Sequence, residues 1–246
     1  AVYVANSGDG PGCFDATFAF GAASGTLTWK NTCLGATEAL GLVGGWLYKG
    51  SHAHDCASEG QFATGSRQLL AQDLQTGEVQ GWYPNTNVGG TTKVGPFAMA
   101  TDGKRLWVGG DFTTVNNRGQ QGLGIFGPDP QTSPTRPLTP SAASVRPGAV
   151  KVTFQSTLDN DDEYLTYKLY RAGTTEPIHT EVIRSRFWSK PAVTIVDTGL
   201  QPNSQAAYRV EASDGATTVA SYWTPYVTVR ATEPVYEEAA ALDGAR

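Results

Sequence analysis

The densest run of side chains able to do chemistry is Ser51-His52-Ala53-His54-Asp55-Cys56, which holds two of the three histidines in the chain. On an extended segment residues i and i+2 share a face, so His52 and His54 would point the same way and could share a metal ion, with Asp55 or Cys56 nearby. The same run also suits a structural task, in which the histidines and Asp55 hydrogen-bond a long loop while Cys56 is oxidised. We take His52, His54, Asp55 and Asp111 as the candidate ligand-binding residues, because loops held by a rigid scaffold are frequent sites of function.

Other runs are weaker pointers. Asp159-Asn160-Asp161-Asp162-Glu163 is an acidic turn that offers oxygen ligands for calcium but lacks the glycine and spacing of an EF-hand loop. A structural calcium ion is thus the one cofactor considered, and a solvated turn is the ordinary use of such a run. Gly109-Gly110-Asp111 precedes neither GKS/T nor a helical pattern and is set aside as a phosphate loop. Phe187-Trp188 would place aromatics on a loop, where they could stack on sugar rings or dock a neighbouring module. There is no Gly-x-Ser-x-Gly elbow, His-Glu-x-x-His motif or convincing carboxylate pair, and no catalytic residue is assigned.

The three cysteines, Cys13, Cys33 and Cys56, all fall in the first quarter beside loop residues, which predicts one oxidised pair and one odd thiol. Cys33 with Cys56 would close a loop of about 23 residues, worth roughly 3 kcal/mol in the chain-entropy picture. Cys13 with Cys33 is the rival pairing.

The elements that must position these residues are repeats. Val2-Tyr3-Val4-Ala5-Asn6, Trp46-Leu47-Tyr48-Lys49-Gly50 and Leu106-Trp107-Val108-Gly109-Gly110 align, each an aromatic among aliphatics followed by a polar loop. Ser24-Gly25-Thr26-Leu27-Thr28-Trp29 likewise matches Thr76-Gly77-Glu78-Val79-Gln80-Gly81-Trp82. Such a unit without helical periodicity fits a four-stranded propeller blade, whose period is about 40 to 50 residues plus insertions. Residues 37–88 then form one blade with strands near 38–43, 45–50, 67–73 and 78–83, interrupted by a loop over 51–66. Residues 1–35 supply most of the preceding blade and 95–127 the start of the next. About two and a half blades do not close a ring, so the remaining blades are expected upstream or in another chain.

Prolines 128, 130, 134, 137 and 140 mark a linker over 128–140. From 141 to 231 the pattern alternates almost strictly, in Val150–Phe154, Leu165–Tyr170, Val193–Val196, Tyr208–Ala212 and Tyr226–Val229, which predicts a half-exposed antiparallel sandwich. Residues 232–246 are a linker or the start of a further module. The expected fold is all-β, a partial β-propeller over 1–127 followed by a β-sandwich.

Thr198-Gly199-Leu200-Gln201-Pro202-Asn203 followed by Tyr208-Arg209-Val210-Glu211-Ala212 resembles the fibronectin type III family over about residues 137–231. The resemblance implies that Leu200 and Tyr208 form a buried corner before the sixth strand. Leu106 to Asn116 with Gln120-Gln121-Gly122-Leu123 is similar to the repeats of secreted actinobacterial β-propeller proteins, which often carry such sandwiches and laminin G-like modules downstream. Val235-Tyr236-Glu237-Glu238 to Leu242-Asp243-Gly244-Ala245 is similar to the lead-in of a laminin G-like module.

With 18 basic and 23 acidic residues the net charge is -5, which gives no attractive field for nucleic acid. No apolar run reaches the roughly 18 residues of a membrane-spanning helix. Together these readings imply an extracellular or cell-surface module that binds or displays a glycan or protein ligand without catalysis, through the face bearing His52 and His54. A fragment of a polysaccharide hydrolase or lyase, and a structural subunit of a surface assembly, are the alternatives.

Overall fold

The structure, a computed structural model, describes residues 1–8, 14–87, 95–127 and 132–234. It is all-β: several small antiparallel sheets, with one 3-10 turn, Ala57–Glu59, as the helical element among the described residues. The chain divides into two compact units, residues 1–133 with 158–164 and 184–190, and residues 134–157 with 165–183 and 191–246. No helix among the described residues is long and apolar enough to cross a membrane.

The first unit is built from three meanders. β1 (Val2–Asn6), β2 (Ala16–Phe20) and β3 (Leu27–Asn31) form one sheet, and β4 (Thr37–Val43), β5 (Trp46–Ala53) and β6 (Arg67–Asp73) a second. β7 (Pro96–Thr101), β8 (Leu106–Gly110) and β11 (Leu123–Phe126) form the third, with a small hairpin of β9 (Thr114–Val115) and β10 (Arg118–Gly119) inserted. The aligned aromatic segments are thus β1, β5 and β8. Val43 faces Trp46 across a two-residue turn in which Gly44 and Gly45 have φ of 60° and 84°. Both values suit the tight hairpin turn that matches strand twist, and glycine adopts them without cost.

Successive meanders are joined by shared side-chain layers. Ala19, Trp29 and Leu47 form a buried cluster with Tyr3, Leu40 and Leu74 around it, linking the first sheet to the second. Leu69, Leu106, Val108 and Phe112 form another with Tyr48, Trp82, Met99 and Phe126, linking the second to the third. Within this unit Lys49 is only 1% exposed. Burial pushes its amine down to about 8, against the opposing pull of the Glu59 and Asp15 charges.

The predicted strand at 78–83 is not one. Asp73 donates its N–H to the Glu78 carbonyl and Gln80 to Ala71, with a single bridge between Gln72 and Val79. The ladder then ends, because the Gly81 N–H donates to Glu163 Oε1 and the Tyr83 N–H to the Asn160 carbonyl. The loop expected over 51–66 is shorter, since β5 runs on to Ala53. Phe187 and Trp188, read from the sequence as loop aromatics that could stack on sugar rings or dock a neighbouring module, are half-buried against Phe62 and the cluster containing Cys33, Cys56, Leu70 and Val79.

The second unit has two main sheets. One runs β12 (Ser141–Arg146), β13 (Ala149–Gln155), β16 (Ala192–Asp197); the other runs β15 (His179–Arg184), β14 (Tyr164–Arg171), β18 (Tyr208–Ser213), β19 (Thr218–Ala220). A short pair, β17 (Gln205–Ala206) with β20 (Val227–Thr228), replaces the longer strand predicted over 226–229. Val150, Val152 and Phe154 of β13 meet Leu169, Tyr167, Tyr208 and Val210 of the facing sheet in the buried interior. Alternation buries one face of each sheet, so the two sheets share a core. Leu200 packs beside the fully buried Tyr208, whose hydroxyl donates to Asp197 Oδ2 at 2.8 Å. Arg171 Nη1 reaches both oxygens of Asp197, at 3.0 and 2.8 Å. The linker residues Pro128 and Pro130 and the segment 235–246 lie outside the described residues.

Candidate functional site

β5 carries the histidine run into the loop beyond it. His52 and His54 share a face, as their spacing requires, with rings parallel to within 4° and centroids 6.2 Å apart. His52 is half-buried and its Nδ1 has no hydrogen-bond partner, whereas His54 is exposed with Nδ1 3.4 Å from the His52 carbonyl. The neighbouring ligands are committed elsewhere. Asp55 Oδ1 accepts the Ala57 N–H at 2.8 Å at the start of the 3-10 turn, and Cys56 is bonded to Cys33. Cys56 therefore offers no thiolate to a metal beside the two histidines. The disulfide joins the loop after β5 to the link between β3 and β4, and Cys13, the rival partner, lies outside the described residues.

Asp111, beyond the end of β8, is exposed, and its N–H donates to the Gly95 carbonyl at 3.4 Å. No contact joins it to His52, His54 or Asp55 among the described residues.

At the other end of β5 the same sheets enclose a cleft of about 530 Å³ that the sequence did not announce. Trp46, Tyr48, Trp82, Phe126 and Tyr164 line it, with Lys104 and the carboxyl side chains of residues 161–163. Tyr48 meets Trp82 edge-on at 5.0 Å, and Trp82 meets Phe126 in the same way at 5.3 Å. Edge-to-face contact is a favoured geometry for aromatic rings, so the three side chains support one another along the wall. Trp46 and Tyr164 are more open, at 38% and 61% exposure. Burial raises the Tyr48 phenol above its ordinary range and keeps it neutral, a hydroxyl donor.

The carboxylates beside the cleft are already engaged. Glu163 accepts from Gly81 N–H and pairs with Arg184 Nε at 2.5 Å. Asp161 accepts from the hydroxyl and N–H of Thr132. Asp159, buried next to Asp161, is pushed up to about 7 by desolvation first and by its carboxylate neighbour second. Trp46, Tyr48 and Trp82 were visible as repeat aromatics, and only their spatial neighbours reveal an open wall.

No protein-family model matches the sequence, and no curated protein is significantly similar to it.

Proposed function

We propose that the chain belongs to an extracellular, non-catalytic module that binds a glycan, with the three meanders as successive blades of a β-propeller and the second unit as a fibronectin type III-like sandwich. The observation that carries the ligand class is the aromatic wall of the cleft. Pyranose rings present apolar C–H faces that lie on tryptophan and tyrosine, while their hydroxyls need donors and acceptors at the rim. Trp46 and Tyr164 are open enough to take a ring face, and Tyr48 and Lys104 supply polar atoms. Binding rather than hydrolysis is our reading: of the carboxylates that line the cleft, Glu163 is paired with Arg184 and Asp161 is hydrogen-bonded to Thr132, partners that suit a structural role. A secreted setting agrees with the Cys33–Cys56 disulfide, since such bonds persist in oxidising compartments.

Titrating a panel of neutral oligosaccharides while following tryptophan fluorescence tests this reading. A saturable shift is expected, weakened about two- to tenfold in affinity by Trp46→Ala or Tyr164→Ala, because stacking is worth about 0.5–1.5 kcal/mol per ring. A flat response across the panel, or unchanged affinity in both variants, overturns it.

A further inference from the structure

The first unit holds a second feature in the turn between β13 and β14, whose residues 161–163 also border the cleft. Asp159 is only 5% exposed, and its Oδ2 has no hydrogen-bond partner among the described residues. Its other oxygen is held: Oδ1 accepts from Thr132 Oγ1 at 2.5 Å and from the Asp161 N–H at 3.4 Å. Thr132 also ties down Asp161, whose Oδ2 accepts its N–H at 3.1 Å, and the Thr132 hydroxyl lies between Asp159 Oδ1 and Asp161 Oδ1 with one proton to share. The turn is anchored by the Tyr83 N–H, which donates to the Asn160 carbonyl at 3.3 Å. No lysine or arginine among the described residues is ion-paired with Asp159 or Asp161.

A buried carboxylate oxygen without donor or counter-charge is a costly arrangement unless something positive completes it. Asp162 presents a carboxylate oxygen within 4.8 Å of one on Asp159. Two oxygens bound to one calcium ion at about 2.3–2.6 Å each lie no more than about 5 Å apart, so both can reach a single ion. The donors are all hard oxygens on an irregular turn, with neither imidazole nor thiolate. That set suits calcium rather than zinc, and its uneven geometry suits calcium rather than the strict octahedron of magnesium.

We propose that the Asp159–Asp162 turn is a calcium site, with Asp159 Oδ2 as the buried ligand, Asp162 as the second carboxylate, and Thr132 and Asp161 fixing the orientation of Asp159. Calcium bound there ties the turn to itself and adds stability by binding the folded chain alone.

The full chain, stripped with EDTA and dialysed, is melted at neutral pH with increasing CaCl2 and, separately, MgCl2. Calcium should raise the melting temperature by several degrees, half-maximally at about 10⁻⁴–10⁻³ M, as in extracellular modules, with a smaller rise from magnesium. Asp159→Asn should abolish the rise while melting no lower than the parent in EDTA, because it removes the uncompensated charge. If that variant fails to fold, Asp162→Asn should shift the half-maximal calcium concentration upward at least about tenfold. No rise in the parent, an undiminished rise in Asp159→Asn, or an unshifted midpoint in Asp162→Asn overturns the proposal.

Discussion

The indole of Trp29 donates its Nε1–H to the carbonyl of Leu74 at 2.9 Å, across 45 residues and from one meander to the turn of the next. Tyr3, which packs against Trp29 with ring centroids 6.0 Å apart, donates its hydroxyl to the same carbonyl at 3.3 Å. Trp29→Phe keeps the aromatic body and removes the shorter bond. We expect a loss of about 1–2 kcal/mol, read as a lower melting temperature, and a smaller loss for Tyr3→Phe. A Trp29→Phe chain that melts with the parent would show that the bond is not part of the fold in solution.

Peptide mapping without reduction should recover Cys33 linked to Cys56. Replacing both by serine should cost about 3 kcal/mol, the loop-closure value for a separation of 23 residues. Native material in which both residues alkylate freely contradicts this.

Stability should rise with pH across an alkaline window. The Lys49 amine is held down to about 8 in the folded chain, against an ordinary 10.5, so between these values the unfolded chain binds a proton that the folded chain has released. Where the unfolded state holds more protons, unfolding becomes harder as pH increases, with a slope of at most about 1.4 kcal/mol per pH unit for one group. Lys49→Met should flatten this rise between pH 8 and 10.5 in denaturant titrations. An identical slope in the variant assigns the effect to other groups.

The histidine loop and the aromatic cleft can be separated directly. His54 is exposed, and the His52 Nδ1 is buried without a partner, so replacing both by alanine should move the melting temperature little. With the ligand in the cleft, oligosaccharide affinity should also stay within about twofold of the parent, a change of roughly 0.4 kcal/mol. Lost affinity with an unchanged melt places the ligand at His52 and His54 instead.

The sequence carried the fold wherever one face of a strand is buried. Alternation in Val150–Phe154 and Leu165–Tyr170 predicts β13 and β14 because their inward residues form the buried clusters of the second unit. β12, β15 and β19 went unread: Ser141-Ala142-Ala143-Ser144 lacks bulky alternation, and β15 is an edge strand exposed at three consecutive positions. The cysteine pairing was legible as one of two alternatives. The parallel histidines were legible because period two is a property of the strand itself. The cleft was not, since its wall joins residues such as Trp46, Trp82 and Phe126 from separate turns and strands. The strand expected at 78–83 failed for the same reason, a side chain at Glu163 claiming the Gly81 N–H.

Near the other end of β5, Gly50 has consequences of its own. A methyl group at Gly50 would sit 2.5 Å from the Pro96 carbonyl oxygen, and one at Gly110 2.5 Å from that of Gly95. The second and third sheets therefore nearly touch through bare backbone at Gly50, whereas the Gly110–Gly95 approach lies within the third meander. Gly41, which pairs with Tyr48, also packs closely on Leu106 and Met99 of the third meander, so the two sheets approach each other at more than one point along β4 and β5. Gly50 is thus a place where one added carbon must push the Pro96 backbone of the third sheet away from the second, at a residue that does not itself line the cleft.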